Sequence, residues 1–226
     1  MYQYKNLEGI SFYEMSQCMN GAFSDYALPI HLDEWDLSDL FSASSIDRHL
    51  SFGAFFNGAL VGFMFHSCGP YQGHQSVFDV AAGVTPAHRG KQIFTHLFAL
   101  TEQALKQRQI KRYYLEVLQQ NEHAISLYKR HGFSISRNFV VLVGHAQIES
   151  KQSQRVQYST LAVFDFQQTT DLYRNTPSYE HSDHILALHP ERYKVAYIKE
   201  ETLSAWCVFS KLTGQFFSLD GKTCRT

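Results

Sequence analysis

Arg89-Gly90-Lys91 stands where the hydrophobic period of the chain changes. Before it, Val77, Val80 and Val84 mark a strand. After it, Ile93, Leu97, Leu100 and Ala104 fall on one helical face, with Phe94, Phe98 and Leu105 beside them. Pro86 closes the strand because it lacks the N–H that a ladder needs, and Ala87–Gly90 turns the chain. A helix opening directly on such a loop presents unpaired N–H groups and the positive end of its dipole. A pyrophosphate placed there gains several charge-assisted hydrogen bonds. Arg89 and Lys91 add positive charge, and Gly90 lets the backbone come close to a ligand. The same residues also suit an ordinary strand–turn–helix crossover with two solvated basic side chains.

Glu116 is a second residue with chemistry to offer. It puts a carboxylate into the apolar run Arg112–Leu118. Burial raises a carboxyl pKa, which suits a general base near neutral pH; a Glu bonded to backbone across a splayed sheet is the alternative. His181, His184 and His189 are closely spaced, but no Cys or carboxylate joins them at ligand spacing. Solvated histidines and no metal are the expectation.

The elements that must hold these residues follow from the same patterning. Tyr2–Leu7 reads as a strand, and Ser11 caps a helix carrying Phe12, Met15, Met19, Ala22 and Phe23. A short helix is predicted over about Leu37–His49. Asn57-Gly58 between Phe52–Phe56 and Ala59–Phe65 is a hairpin signal. Arg112–Leu118 is a strand, Asn121 opens a helix with Ala124, Ile125, Leu127 and Tyr128 on its apolar face, and Gly132 stops it. Phe133–Val143 returns as strand. Strands with helices inserted between them predict an α/β, or α+β layered, domain.

Two stretches carry a family resemblance. Val84-x-Pro86-x-x-Arg89-Gly90-Lys91 resembles the acetyl-CoA loop of the GNAT N-acetyltransferases, V-x-P-x-x-R-G-x-G-x-G/A. Asn121-x-x-Ala124-x-x-Leu127-Tyr128-x-x-x-Gly132-Phe133 resembles the family's second signature. The resemblance covers roughly residues 1–145. It implies a GNAT acyl-CoA fold, a mixed twisted sheet flanked by helices. It also implies acetyl-CoA as co-substrate, with its pyrophosphate on Arg89, Gly90, Lys91, Gln92, Ile93, Phe94 and Thr95. The pantetheine arm would run along Ala82, Gly83 and Val84, and Asn121 would add a polar contact. Gln92 and Phe94 stand where the family has Gly and Gly/Ala, and their side chains crowd the helix start.

Acyl transfer needs an amine that loses its proton, donors for the oxyanion and a proton for the departing thiolate. The family's tyrosine at the position of Tyr128 is the general acid; packing on the helix face is the alternative for this side chain. The spacing from Glu116 to Tyr128 resembles that in ribosomal-protein alanine acetyltransferases, where a matching Glu is the proposed base. With no cysteine near the motifs, direct transfer in a ternary complex to a primary amine of a small molecule or protein is expected. A non-catalytic acyl-CoA-binding module is the competing reading, favoured by Gln92 and Phe94 and opposed by Tyr128 with Glu116. A nucleotide-binding P-loop is excluded, since GxxxxGK[ST] is absent.

Ile148–Gln157 is polar and aperiodic, a predicted linker between residues 1–147 and a C-terminal extension, 158–226. In that extension Leu161–Phe166, Lys194–Ile198, Ala205–Phe209 and Phe216–Leu219 read as strands, with a weak helix after Thr176-Pro177-Ser178. Its order resembles half of a second GNAT domain, without a second phosphate loop. Its exposed edge calls for cover, from the first domain or from a second chain in a homodimer. Across 226 residues, 44% hydrophobic and 15% aromatic content supports a folded core, and 20 basic against 21 acidic residues gives no general attraction to nucleic acid or membrane. Four scattered cysteines, without a CxxC pair, and no apolar leader predict a soluble cytoplasmic protein with reduced thiols. The acceptor is not legible; Phe23–Tyr26, Leu37–His49 and the C-terminal extension are where its selection would lie.

Overall fold

Ser11 and Glu14 cap each other's backbone at the start of α1 (Phe12–Ala22), which follows β1 (Tyr2–Asn6). Asp33 and Asp36 repeat the device at α2 (Glu34–Ala43). That helix lies earlier than the predicted Leu37–His49, because the acidic pair fixes its start. The computed structural model describes residues 1–140, 156–165, 176–199, 203–211 and 216–221, with Leu203 and 216–221 described by backbone alone.

β2 (Phe52–Phe56) and β3 (Ala59–Tyr71) meet through Asn57 and Gly58, whose φ angles of 51° and 83° form the tight hairpin turn. β4 (His74–Val84), α3 (Ile93–Gln107), β5 (Arg112–Leu115) and α4 (Glu122–Arg130) complete the first unit. The sheet order is β1-β2-β3-β4-β5. The first four strands are antiparallel neighbours, and β5 runs parallel to β4. Alternation along β3 builds the layers: Phe63 and Phe65 pack with Leu7, Met15 and Leu37, while Met64 joins Phe52, Ile93 and Leu97 on the α3 side.

Two features of β4 shape the middle of the sheet. It pairs with β5 only from Ser76↔Arg112 to Asp79↔Leu115, then runs on to Val84 with β3 as its only partner among the described residues. The register slips at the same place: Phe65 faces Ala81 and His66 faces Asp79, so Val80 is an extra residue. A bulge bends its strand, and here β4 turns away from the end of β5. The two strands open like a V.

The C-terminal unit comprises β6 (Val156–Thr160), α5 (Asp183–Leu188), β7 (Tyr193–Lys199), β8 (Leu203–Ser210) and β9 (Phe216–Gly221). They form an antiparallel sheet of order β6-β7-β8-β9. Strand, helix and three antiparallel strands follow one another as in the first half of the N-terminal unit, with one helix, α5, where that unit has α1 and α2. Three readings need correction. The strand expected at Leu161–Phe166 is a 3-10 turn, Leu161–Val163, followed by irregular chain as far as it is described; the strand lies just before it. β6 is an outer strand with mostly exposed side chains, so Val156 and Gln157 read as linker. The strand expected at Phe133–Val143 is absent over 134–140, and 141–143 lie outside the described residues. Ile135 and Val140 are exposed there, and Arg137 anchors the chain through its side chain instead of a ladder.

The segment 176–182 docks on the outer half of β3 and β4. Tyr179 is buried, stacks on Phe78 with ring centroids 4.8 Å apart and meets Ser67 Oγ at 3.2 Å. Arg137 donates to the carbonyls of Thr176 and Pro177 and to Tyr71, whose hydroxyl in turn donates to Pro177. His184 occupies the space left by the missing side chain of Gly69, and His189 bonds Ser42. These two histidines are structural contacts, not the solvated groups expected. Among the described residues no His, Cys, Asp and Glu cluster suits a metal, and no helix is long and apolar enough to cross a membrane.

Candidate functional site

The loop between β4 and α3 begins with a 3-10 turn, Pro86–His88. Gly90 then takes φ 72°, and Gln92 takes φ 58° at the N-cap of α3 without a side-chain cap. A side chain at Gly90 would meet nothing within 4 Å, so the loop lies open to a ligand there. The first-turn N–H groups of α3 have no carbonyl a turn earlier to bond. The basic side chains behave differently from the expectation. Arg89 grips both Asp25 oxygens at 2.6 and 2.8 Å and donates to the carbonyls of Ala22 and Val84. Its guanidinium hydrogen bond holds the Asp25 carboxyl below the usual range. Lys91 donates to Ala87 O at 3.1 Å. Both side chains brace the loop, which leaves backbone dipoles and N–H groups to attract an anion.

Ala82, Gly83 and Val84 lie on the part of β4 that β5 has left. Gly83 is required by packing: a Cβ there would stand 2.9 Å from the Ala22 side chain. Asn121 caps α4, its Oδ1 accepting from Ala124 N at 3.1 Å, and Gly132 ends that helix region at φ 88°.

Tyr128 points from α4 toward the fork between β4 and β5. Its hydroxyl donates to Asp79 Oδ2 at 2.7 Å. Phe94 meets its ring edge-to-face at 5.3 Å, and Phe133 does the same at 5.4 Å. The residue that crowds the helix start therefore fixes the tyrosine. Burial, with Asp79 beside it, pushes the Tyr128 hydroxyl pKa well above its ordinary value. Asp79 is 5% exposed, and its Oδ1 has no partner among the described residues. Burial pushes its carboxyl up to about 7, although the bond from Tyr128 pulls the other way.

A cavity of about 940 Å³ opens beside this pair. Tyr26, Phe78, Val80, Tyr113, Glu116 and Tyr128 line it, and the docked segment adds Tyr179 and Glu180. Glu116 lies just past the end of β5. Much of its surface faces the opening, yet the protein packed around it raises its pKa, against the pull of Arg137 and of the Tyr179 N–H. Glu180 is more enclosed; burial and then the Glu116 charge push it up to about 7. Arg137 and Lys129 also reach this cavity.

Of the residues singled out in the sequence, Glu116 and Tyr128 share the cavity, as does Tyr26 of the Phe23–Tyr26 segment. None of Leu37–His49 lines it. Asp79 and Glu180 were missed. Asp79 carried the same signal as Glu116, a carboxylate inside an apolar strand, Val77-Phe78-Asp79-Val80.

The GNAT acetyltransferase family model matches residues 11–133. Among solved structures, the chain is similar to a ribosomal-protein-alanine N-acetyltransferase from Brucella melitensis biovar Abortus 2308. The two are 18% identical, with a TM-score of 0.51 over 64% of this chain and 99% of that one. A transcriptional regulator from Bacillus halodurans C-125 is 16% identical, with a TM-score of 0.51 over 64% and 100%. At such identities the likeness establishes the fold. Among curated proteins none matches. The sheet and its fork are those of an acyl-CoA N-acyltransferase fold. With its model spanning more than half of the 226 residues, the chain belongs to the acetyltransferase (GNAT) family.

Proposed function

We propose that the chain is an acetyl-CoA-dependent N-acetyltransferase. It transfers an acetyl group directly, in a ternary complex, to a primary amine of a small molecule or protein. The observation that carries this reading is the meeting of Tyr128 and Glu116 in one cavity at the β4–β5 fork. The residues fit acetyl-CoA: the first turn of α3 holds the pyrophosphate by its N–H groups, and the free edge of Ala82–Val84 takes the pantetheine amides. The pull comes from Gly90–Thr95 backbone, with Arg89 and Lys91 as braces. Asn121 contributes structure first, since its carbonyl oxygen already caps α4.

Glu116 takes the proton of the incoming ammonium, directly or through water, and Tyr128 gives a proton to the departing thiolate. Tyr179 and Glu180 form the acceptor side, so the C-terminal segment completes the site and shapes its selectivity. The second reading, a binding-only module, is favoured by one observation: the Tyr128 hydroxyl is bonded to Asp79, which diverts its proton from the cavity whenever Asp79 is ionised. The thiols of Cys18, Cys68 and Cys207 are free, which supports a reducing, cytoplasmic setting. The outer strands β6 and β9 support a homodimer as one way of covering them.

Calorimetric titration with CoA tests the loop. Gly90→Pro forces φ to about −65° where 72° is needed, and should weaken CoA binding at least tenfold while circular dichroism stays native. Unchanged affinity would overturn the loop assignment.

A further inference from the structure

A phenol has one proton, and Tyr128 Oη stands 2.7 Å from Asp79 Oδ2, so one hydrogen is shared between the two oxygens. If Asp79 is a carboxylate, Tyr128 turns a lone pair to the cavity and has nothing to give. If Asp79 is a carboxylic acid, it donates to the Tyr128 oxygen and the phenol proton is free to turn outward. The state of Asp79 therefore decides whether Tyr128 is an acid.

The surroundings favour the acid form. Asp79 is buried at the last β4–β5 pair, one residue before the bulge, and among the described residues Oδ1 has no partner. A buried, ionised carboxylate with one hydrogen bond is poorly compensated. The neighbouring groups do not repair this. Across β3, His66 is buried and held neutral by burial, with a pKa of about 4. Its Nδ1 bonds Leu50 O, a pure acceptor, so Nδ1 carries the hydrogen. Nε2 then accepts from the Tyr113 hydroxyl, the other phenol that bears on Asp79. Tyr113 is thereby committed to His66 and offers no donor to Oδ1. No cation stands among the groups that shift Asp79.

We propose that Asp79 is the proton store behind Tyr128, an inference that rests on the acetyltransferase reading of the site. As the C–N bond forms and the C–S bond breaks, the sulfur takes the proton from Tyr128 Oη. Oη takes the proton from Asp79 in the same movement, so that the phenol is never left as a bare phenolate. Asp79 is left as a carboxylate that accepts from the Tyr128 hydroxyl. A proton from solvent resets it before the next turnover, while the proton lost by the amine leaves through Glu116. Asp79 touches no reacting atom; it is a positioning residue that acts through Tyr128.

The test has two arms. In the first, 3-fluorotyrosine is placed at position 128 and its 19F resonance is followed from pH 5 to 9. A titration centred near pH 7 that vanishes in Asp79→Asn supports the store. A resonance that ignores pH, or titrates equally in Asp79→Asn, overturns it. The second arm follows thiol release from acetyl-CoA with water as acceptor. Asp79→Asn should slow it by roughly 10- to 100-fold and shift its alkaline limb, and Asp79→Glu should restore part of the rate. In the Tyr128→Phe background, removing Asp79 should cost nothing further. Losses that multiply would make Asp79 merely structural. A wild-type chain that binds no CoA would overturn the acetyltransferase reading, while the 19F arm still decides the Asp79–Tyr128 proton.

Discussion

Replacing Asp79 by Asn should change the pH dependence of stability in a way fixed by its burial. The folded carboxyl is held up to about 7 from an ordinary 3.8, chiefly by burial. Between these values the folded state keeps a proton that the unfolded chain has lost. The folded form then binds more protons, so stability falls as pH rises from about 4 to about 7 and is level above that. Three pH units at 1.36 kcal/mol each bound the loss at about 4 kcal/mol. Asn does not titrate and can still donate to Tyr128. The difference in unfolding free energy, variant minus wild type, should therefore climb by up to about 4 kcal/mol between pH 4 and pH 8. Urea unfolding of both proteins at one-unit intervals measures it. Glu180, raised like Asp79, and Asp47, lowered despite burial by its bonds with Arg108, are common to both chains and cancel in the difference. A difference that stays flat across this range would mean that Asp79 ionises as freely in the fold as in water, and the proton-store argument would fall with it.

Glu116→Gln should remove the acidic limb of kcat/KM, because a base works only above its own pKa; an unaltered limb in an amine-acceptor assay would assign proton removal to another group. Gln92→Gly should raise stability by about 1 kcal/mol, since glycine takes the left-handed φ of 58° without strain. A lower melting midpoint would show that the glutamine side chain is holding the helix start. Deleting everything after about Ile148 should bare Phe78 and Tyr71, now covered by Tyr179, and cause aggregation or loss of activity. A soluble, monomeric and fully active fragment, judged by light scattering and thiol release, would contradict the role given to the docked segment.

What the sequence disclosed was local. Ser11, Asn57-Gly58, Asn121 and Gly132 each fix the chain within a few residues, and each does so in the fold. Pro86 and Arg89-Gly90 likewise mark the loop. The misses are contacts across distance. Arg89 meets an aspartate 64 residues earlier, so its charge is neutralised where it was expected to serve an anion. Asp79 gains its meaning from a tyrosine 49 residues later. β6 carries the polar pattern of an exposed outer strand, and its first two residues, Val156 and Gln157, therefore looked like the end of a linker. Phe94 seemed an obstacle until its ring was found against Tyr128.

The docked segment also sets an order of events during synthesis. The fork, the loop and Tyr128 are all encoded by residue 133, whereas Tyr179 and Glu180 emerge almost fifty residues later. At translation speeds of about 5–20 residues per second, that interval is roughly 2–10 s. A nascent chain thus passes through a stage in which the first sheet exists and one wall of its cavity does not. Phe78 and Tyr71 lie open during that stage, a sticky patch that holdase chaperones would recognise. The wall that Tyr179 and Glu180 provide is thus the last part of the cavity to be made, and a chain released before it keeps that patch bare.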